Sequence, residues 1–214
     1  MTQREGIGSS KATWRAWDDL YRRQPRAWRG PAEETEFDGD SGIVLELGCG
    51  SGKTLRSLSG HGSVIALDVS LSALKSCRRE RIHENTHLVQ GNATLLPFAD
   101  ASIDIIVAHH VLGHLMAGER VASAVEIARV LKPNRLLSIR AMSRGDMRFG
   151  NGMEVEPMTF AKSGIVCHFF DEDEVKALFP SFDVVRIETT SVARRYGGVE
   201  RKRSEVVALL RSPA

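Results

Sequence analysis

The sequence of 214 residues contains little cysteine and no long apolar run. Cys49, Cys77 and Cys167 are widely spaced and odd in number, which argues against a disulfide framework and favours a reducing, cytoplasmic location. No run of about 18 apolar residues is present, so no segment is expected to span a membrane. The first 40 residues are polar and lack the apolar stretch of a secretory signal.

Strong net charge is absent as well, since the formal charge is only +2. Its distribution is uneven, because residues 1–31 and residues 186–214 each hold seven Arg/Lys and three acids. Arg194, Arg195 and residues 201–203 cluster around a predicted hairpin turn. Basic ends of this kind can follow RNA phosphates. Arginines solvated at a hairpin turn explain the same pattern, and both interpretations stay open.

Short apolar runs alternate with helical stretches along most of the chain. Composition is ordinary for a globular protein, with 42% hydrophobic and 26% charged residues, and the length suits one substantial core. Predicted strands cover 43–47, 63–68, 86–90, 103–108, 134–140, 182–191 and 204–211, and predicted helices cover 52–59, 70–84 and 117–131. The alternation favours an α/β fold with a parallel sheet between helices. No helix separates the last two strands, which predicts that they pair antiparallel.

Apolar residues lead into three glycines at alternate positions, Gly48, Gly50 and Gly52. Glycine tolerates positive φ and lets a ligand approach the backbone. A P-loop would need glycine where Leu47 stands, and a dinucleotide fingerprint would need glycine where Lys53 stands. The helix predicted next would offer free N–H groups to a polar ligand. The alternative is a glycine-rich turn that binds nothing.

Two polar positions follow the next predicted strands. Asp68 ends one strand about 20 residues after the glycine loop begins, where nucleotide folds place a ribose-binding carboxylate. The other interpretation is an N-cap for the helix that starts near Ser70. Asn92 and Ala93 follow the third strand, and the amide oxygen of Asn92 can accept a hydrogen bond. All of these positions lie at the carboxyl ends of strands, where ligands bind in parallel sheets.

Taken in chain order, these motifs resemble those of the class I S-adenosylmethionine-dependent methyltransferases, with a core of type 11/25. Residues 102–115 and 126–137 resemble later motifs of the family, so the resemblance runs from about residue 43 to 139. Asn92 departs from the acid that the family places there, and Asn134 and Arg135 replace a glycine pair. Asparagine accepts a left-handed turn best among non-glycine residues, so we expect the turn at Asn134 to persist.

The resemblance implies a Rossmann-like, doubly wound and mostly parallel sheet of seven strands, with one antiparallel strand at the C-terminal end. It also implies S-adenosyl-L-methionine as cofactor and S-adenosyl-L-homocysteine as product. The cofactor-binding residues that it implies are Glu46, Gly48, Cys49, Gly50, Gly52, Asp68, Val69, Asn92, Ala93 and His109.

The reaction that the resemblance implies is transfer of a methyl group, by in-line displacement, to a nitrogen, oxygen or sulfur atom of a small molecule. The alternatives are a tRNA or other RNA methyltransferase that uses the basic termini, and an inactive partner subunit that binds the cofactor. Methyl transfer needs mainly positioning, so a catalytic residue is hard to identify. The candidates are His109, after the fourth predicted strand, and His168. Packing explains His109 equally well, and a half-buried loop histidine is the alternative for His168.

Metal catalysis is not expected. His110 and His114 stand four apart on a predicted helical face, which is a possible metal pair. The zincin pattern would require glutamate where Val111 stands.

Two segments outside the core motifs are predicted to select the substrate. Residues 1–42 form a predicted N-terminal helical cap on a Rossmann-like domain of residues 43–214. All three tryptophans lie in this cap, whose opening is similar to that of thiopurine and tellurite-type methyltransferases, although a stripe that docks the helix explains it too. Residues 141–170 are longer than an ordinary connection and are predicted to be a substrate loop. The predicted substrate-binding residues are Trp17, Tyr21, Trp28, His110, Arg144 and His168.

Overall fold

The computed structural model describes residues 10–26, 37, 42–58, 60, 62–80 and 84–214. The α-helices in these ranges are α1 (Ser10–Arg23), α2 (Leu71–Glu80), α3 (Ala117–Val130) and α4 (Glu172–Leu178). The strands are β1 (Ile43–Leu47), β2 (Ser63–Asp68), β3 (Thr86–Gln90), β4 (Ile103–His109), β5 (Leu131–Met142), β6 (Met153–Glu156), β7 (Thr159–Lys162), β8 (Ile165–His168), β9 (Asp183–Tyr196) and β10 (Val199–Arg211).

The main sheet has the strand order β3-β2-β1-β4-β5-β10-β9. Strands β1 to β5 pair parallel, whereas β10 pairs antiparallel with both β5 and β9. The predicted fold, a mostly parallel sheet of seven strands with one antiparallel strand near the C-terminus, is therefore confirmed. The strand order reverses between β1 and β4, which opens a crevice beyond their carboxyl ends.

Alternation along the strands builds a core on each face of the sheet. Val44 belongs to the cluster packed beneath α2, whereas Leu45 and Leu47 belong to the cluster shared with α3 and α4. Every residue of β4 is buried, as expected for a central parallel strand. The polar side chains at the carboxyl ends of β1, β2 and β4 thus rest on rigid supports.

Helix prediction is less accurate next to the glycine loop. The helix expected over 52–59 is only a 3₁₀ helix, Thr54–Leu58, in which Ser57 Oγ donates to the carbonyl of Thr54. A five-residue 3₁₀ helix lacks the aligned N–H groups of a longer α-helix. It therefore does not offer a ligand the helix N-terminus that the sequence predicted. The left-handed turn expected at Asn134 is present, with φ of 57°.

The segment 141–170 contains an antiparallel sheet of three strands, β6-β7-β8, and is not the irregular loop that its length predicted. It has a small core of its own, in which the rings of Phe149, Phe160 and Phe169 pack edge to face. Glu156 Oε2 accepts a hydrogen bond from the N–H of Ala117 over 2.9 Å, which joins the segment to the start of α3. These contacts make the segment a fixed wall of the main domain.

None of the helices within the described residues is long and apolar enough to cross a membrane.

Candidate functional site

A cavity of about 550 Å³ lies at the carboxyl ends of the parallel strands. Its floor comes from the residues that follow β1, β2 and β4, and α1 covers it. We call the part around Gly48, Gly50 and Asp68 the glycine end. We call the part lined by Arg148, Arg203 and residues 194–195 the arginine end. The size is within the range of about 300–1,000 Å³ that small-molecule sites occupy.

The glycine loop is left-handed at each of its three glycines. Gly48, Gly50 and Gly52 have φ of 71°, 54° and 86°. The N–H of Gly48 donates to the carbonyl of Leu67 over 2.8 Å, which fixes the loop to the end of β2. A Cβ at Gly50 would collide with the hydroxyl of Tyr21. Gly52 does not line the cavity but closes the turn by donating its N–H to Cys49.

Asp68 lies between the glycine loop and the start of α2. Its Oδ2 accepts from the N–H of Gly50 and its Oδ1 from the N–H of Ser70, both over 2.8 Å. Burial raises the pKa of Asp68 to about 6, although these hydrogen bonds favour the charged form. The helix cap is Ser70, whose Oγ accepts from the N–H of Ala73. Each oxygen of Asp68 keeps a further lone pair for a ligand hydroxyl.

Glu46 is only 2% exposed, at the end of β1. Its Oε2 has no hydrogen-bond partner among the described residues, and burial raises the pKa of the carboxyl well above its ordinary value. An unsatisfied buried carboxylate oxygen is costly, and a ligand cation would relieve that cost. Glu46 lines the cavity beside the glycine loop.

The positions after β2 and β3 complete the glycine end. Val69, Asn92 and Ala93 line the cavity, as does Cys49. Asn92 Oδ1 accepts from the N–H of Thr94 over 3.0 Å, which orients the amide locally. The structure therefore brings together nine of the ten residues predicted for the cofactor, all except Gly52.

Helix α1 covers the glycine end and is held by Asp18. Asp18 Oδ1 accepts from Ser70 Oγ over 2.9 Å and from the N–H of Ser72 over 2.8 Å. Although burial opposes it, these hydrogen bonds lower the pKa of Asp18 to about 2. Trp17 and Tyr21 consequently face the cavity, and the two rings stack with their centroids 6.1 Å apart. This aromatic stripe therefore both docks the helix and lines the cavity.

His109 ends β4, His110 follows it, and both line the cavity. Nε2 of His109 lies 2.9 Å from Ser138 Oγ. His110 has a left-handed backbone, with φ of 63°, and its Nε2 lies 3.8 Å from Glu205. The chain then forms a 3₁₀ turn, Leu112–His114, so the helical face expected to align two imidazoles does not exist. Within the described part of the chain, no group of three potential metal ligands is present.

His114 is a cavity residue that the sequence suggested only as a metal ligand. Its Nδ1 lies 2.7 Å from the carbonyl oxygen of Val166, which can only accept. Nδ1 therefore carries the proton, and Nε2 keeps its lone pair. Burial lowers the pKa of His114 to about 4, so the ring is neutral at pH 7. The edge of the ring packs against Trp17, with the centroids 4.6 Å apart.

Two predicted site residues lie away from the cavity. Both ring nitrogens of His168 have partners at 2.7 Å, Thr159 Oγ1 and Glu174 Oε1. Asp171 caps α4 by accepting from the N–H of Glu174, whose side chain bonds His168. Arg144 forms an ion pair with Asp171 over 2.8 Å. Trp28 lies outside the described residues.

The arginine end was not predicted as part of the site. Its positive residues come from β5, from the segment before β6 and from the β9–β10 hairpin: Arg140, Arg148, Arg194, Arg195 and Arg203. The alternation of Thr190, Val192 and Arg194 along β9 was the available signal, because it puts the three side chains on one face of a strand. In the sequence, the same arginines were explained equally well as solvated residues at a turn.

The site fits S-adenosylmethionine, the cofactor that the sequence motifs imply. The unpartnered Oε2 of Glu46 matches the α-ammonium group of the cofactor, and the spare lone pairs of Asp68 match its two ribose hydroxyls. At Gly48 and Gly50 the absence of a Cβ lets the side chains of Val111 and Tyr21 pack against the loop, which shapes the glycine end of the cavity.

Comparison with known proteins places the glycine end in a known sequence family. Residues 45–139 match the family described as "Methyltransferase domain". Over 170 residues the chain is 29% identical to the tRNA N(3)-cytidine methyltransferase METTL2 of Danio rerio, covering 72% of this chain and 48% of the relative. It is 37% identical over 97 residues to a demethylmenaquinone methyltransferase of Corynebacterium kroppenstedtii, covering 45% of this chain and 40% of the relative. The chain thus spans about half the length, or less, of these two relatives.

Among solved structures, a SAM-dependent methyltransferase from Methanosarcina mazei has the same fold. The TM-score is 0.70 at 22% identity, and the match covers 83% of this chain and 95% of that one. At this identity the likeness concerns the fold alone.

Proposed function

We propose that this chain, whose residues 45–139 match a methyltransferase family, is a class I S-adenosylmethionine-dependent methyltransferase that transfers the methyl group of S-adenosylmethionine to a nitrogen, oxygen or sulfur atom of a small molecule. The observation that carries the proposal is one cavity that joins the glycine loop to a separate, arginine-lined end beneath α1. A cavity of this size suits a cofactor beside a small acceptor. Residues 1–42 would act as a cap on this domain, and the cysteine content supports a cytoplasmic location.

The residues of the glycine end would bind and orient the cofactor. Asp68 would accept from its ribose hydroxyls, Glu46 would face its ammonium group, and Asn92 and Ala93 would contact its base. When bound, the cofactor supplies a methyl group on a positively charged sulfur, which a nucleophile displaces in line. The contribution of the protein is mainly to hold the two reactants in line, which can account for several kcal/mol of the barrier, up to roughly 10.

We propose that His114 makes the polar contact with the nucleophile. Its Nδ1 is held by the carbonyl of Val166, so its Nε2 can accept a hydrogen bond from a nucleophile that carries a proton. His109, beside Ser138, is the second candidate because it also lines the cavity. His168 is left out of the proposed site because both its ring nitrogens are engaged elsewhere.

The first experiment is a thermal-shift titration with S-adenosylhomocysteine, run beside ATP-Mg and NAD. A ligand that binds only the folded protein stabilises it by about 2.7 kcal/mol at a hundredfold excess over its dissociation constant. A rise in melting temperature with S-adenosylhomocysteine alone is expected. A rise with ATP-Mg or NAD alone, or no response to any of the three, would contradict the proposal.

An RNA substrate is the second candidate. Arginines at the tip of the β9–β10 hairpin and the similarity to a tRNA methyltransferase favour it. RNA binding of this kind is salt-dependent, because it releases counterions from phosphates. Tight binding of bulk tRNA that weakens steeply between about 50 and 200 mM salt would favour RNA over a small molecule.

A further inference from the structure

We infer that the methyl acceptor carries a carboxylate or phosphate group, which Arg194 and Arg195 bind at the arginine end of the cavity. This inference rests on the proposed function and names the substrate class of the same site. Both residues line the cavity that contains the glycine loop. Strand β9, which carries them, stands four strands away from β1 in the sheet order. At about 4.8 Å a strand, that separation is roughly 19 Å.

The register of the hairpin turns Arg194 towards the cavity. Arg203 pairs with Val192 and Glu205 pairs with Thr190, so these four side chains share one face of the ribbon. All four line the cavity, as does Arg194, two residues beyond Val192. Arg195 pairs with Glu200 and shares the other face of the ribbon with Lys202. Beside the turn at Gly197 and Gly198, Arg195 nevertheless lines the cavity, whereas Lys202 does not. Arg194 therefore belongs to a cavity-lining row and is not simply a solvated arginine at a turn.

Carboxylates of the protein already neutralise the neighbouring arginines. Asp146, whose side chain is fully buried, accepts from Arg148 Nε over 2.7 Å and from Arg203 Nε over 2.8 Å. Although burial opposes it, these hydrogen bonds lower the pKa of Asp146 to about 2, so it stays charged. Glu205 lies 3.1 Å from Arg203 and 3.8 Å from His110. Two arginines of the cavity are thus paired internally.

Arg194 and Arg195 differ from that pair. Among the described residues, no carboxylate lies within the 4.0 Å of an ion pair with either of them. Glu200 stands opposite Arg195 in the register of the hairpin but makes no such pair. Two guanidinium groups that line the cavity without a carboxylate partner create a positive potential that an anion would neutralise.

The chemistry of the guanidinium group selects the ligand. Its planar set of N–H donors matches the two oxygens of a carboxylate or phosphate, and such bidentate pairs are strong and directional. Trp14, Trp17 and Leu115 line the same cavity and would contact an apolar body. An acceptor held at both ends would be oriented for in-line attack. The acceptor class is therefore an anionic small molecule with an apolar or aromatic body.

The test uses the full chain saturated with S-adenosylhomocysteine and three probes of similar shape: benzoate, phenyl phosphate and benzyl alcohol. Calorimetric titration compares the wild type with the double variant Arg194→Gln/Arg195→Gln. Lys202→Gln is the control, because it removes a positive charge from the same hairpin at a position that does not line the cavity. Benzoate and phenyl phosphate distinguish a carboxylate from a phosphate.

At least one anionic probe should bind ten times or more tighter than benzyl alcohol, lose at least tenfold in the double variant and keep its affinity in Lys202→Gln. Equal binding of benzyl alcohol, no binding of either anion, or equal losses in both variants would overturn the inference. Two further results would also overturn it. One is weaker binding of S-adenosylhomocysteine by the double variant. The other is a double variant that loses binding of tRNA but binds the anionic probes as the wild type does. Failure of the wild type to bind S-adenosylhomocysteine would instead contradict the proposed function.

Discussion

The two ends of the cavity are built in different ways. At the glycine end, Gly48, Gly50 and Asp68 come from a short stretch of chain, and backbone N–H groups form most of the contacts. At the arginine end, side chains from β5, the segment before β6 and the β9–β10 hairpin meet across long sequence separations, as when Asp146 bonds Arg203. One end depends on backbone conformation and the other on side-chain charge.

That difference has a physical consequence. Few sequences can adopt the backbone of the glycine loop, because a left-handed φ favours glycine. A binding site built from such a backbone is therefore recognisable as a sequence motif. A site built from side chains on distant strands can be formed by many different combinations of residues, so it leaves no fixed sequence motif. The glycine end is accordingly matched by a sequence family, whereas Arg194, Arg195 and Arg203 lie outside the matched residues 45–139.

The largest expected effect concerns the arginine end. Asp146→Ala would leave two cationic side chains, those of Arg148 and Arg203, without their buried partner and should cost about 3 kcal/mol of unfolding free energy. At roughly 2–4 °C for each kcal/mol, the melting temperature should fall by about 6–12 °C. S-adenosylhomocysteine affinity should remain. The control is Asp173→Ala, which removes a side chain that is 92% exposed and should change little.

The contribution of Asp146 to stability should depend on pH. Because its pKa in the folded protein, about 2, is below the value of about 4 in unfolded chains, the contribution is complete above pH 4. It should be lost as the pH falls towards 2. An equal loss of stability on acidification in wild type and Asp146→Ala would contradict this assignment.

The second effect concerns the glycine end. Asp68→Ala removes the acceptor of the ribose hydroxyls and of the N–H of Gly50. The affinity for S-adenosylhomocysteine should fall about 100-fold. Calorimetric titration measures the change, and Asp68→Asn should lose less because an amide oxygen still accepts. Near-normal affinity of Asp68→Ala would remove Asp68 from the site.

A third, smaller effect tests the backbone itself. Gly50→Ala should destabilise the protein by about 1–2 kcal/mol through its left-handed φ, with a further cost from contact with the Tyr21 hydroxyl. Adding Tyr21→Phe should restore the part of the unfolding free energy that is lost through contact with the hydroxyl, but not the part that is lost through the left-handed φ. Gly60→Ala is the matched control, because Gly60 also has positive φ but no atom lies within 4 Å of its Cβ position. Equal destabilisation by both alanines would show that the contact does not matter.

The smallest effect is a pH dependence of cofactor binding. Since the pKa of Asp68 is about 6 without ligand and ribose hydroxyls favour the charged form, S-adenosylhomocysteine should bind about tenfold more weakly at pH 5 than at pH 7. Protons should be released on binding near pH 6, which calorimetry in two buffers of different ionisation enthalpy measures. The dependence should disappear in Asp68→Asn, and its persistence there would assign it to another group.

The sequence by itself determined the strands of the main sheet, the likeness to a methyltransferase family and the residues of the glycine end. These follow from local rules: apolar periodicity predicts β1 to β5, and left-handed positions favour glycine or, at Asn134, asparagine. Tertiary structure alone decided that His114 and the hairpin arginines line the cavity and that His168 and Arg144 do not. The reason is that a side chain at the rim is positioned by the register of β9 on β10 and by the packing of residues 141–170. Both depend on contacts between segments far apart in the chain, which local patterns do not encode.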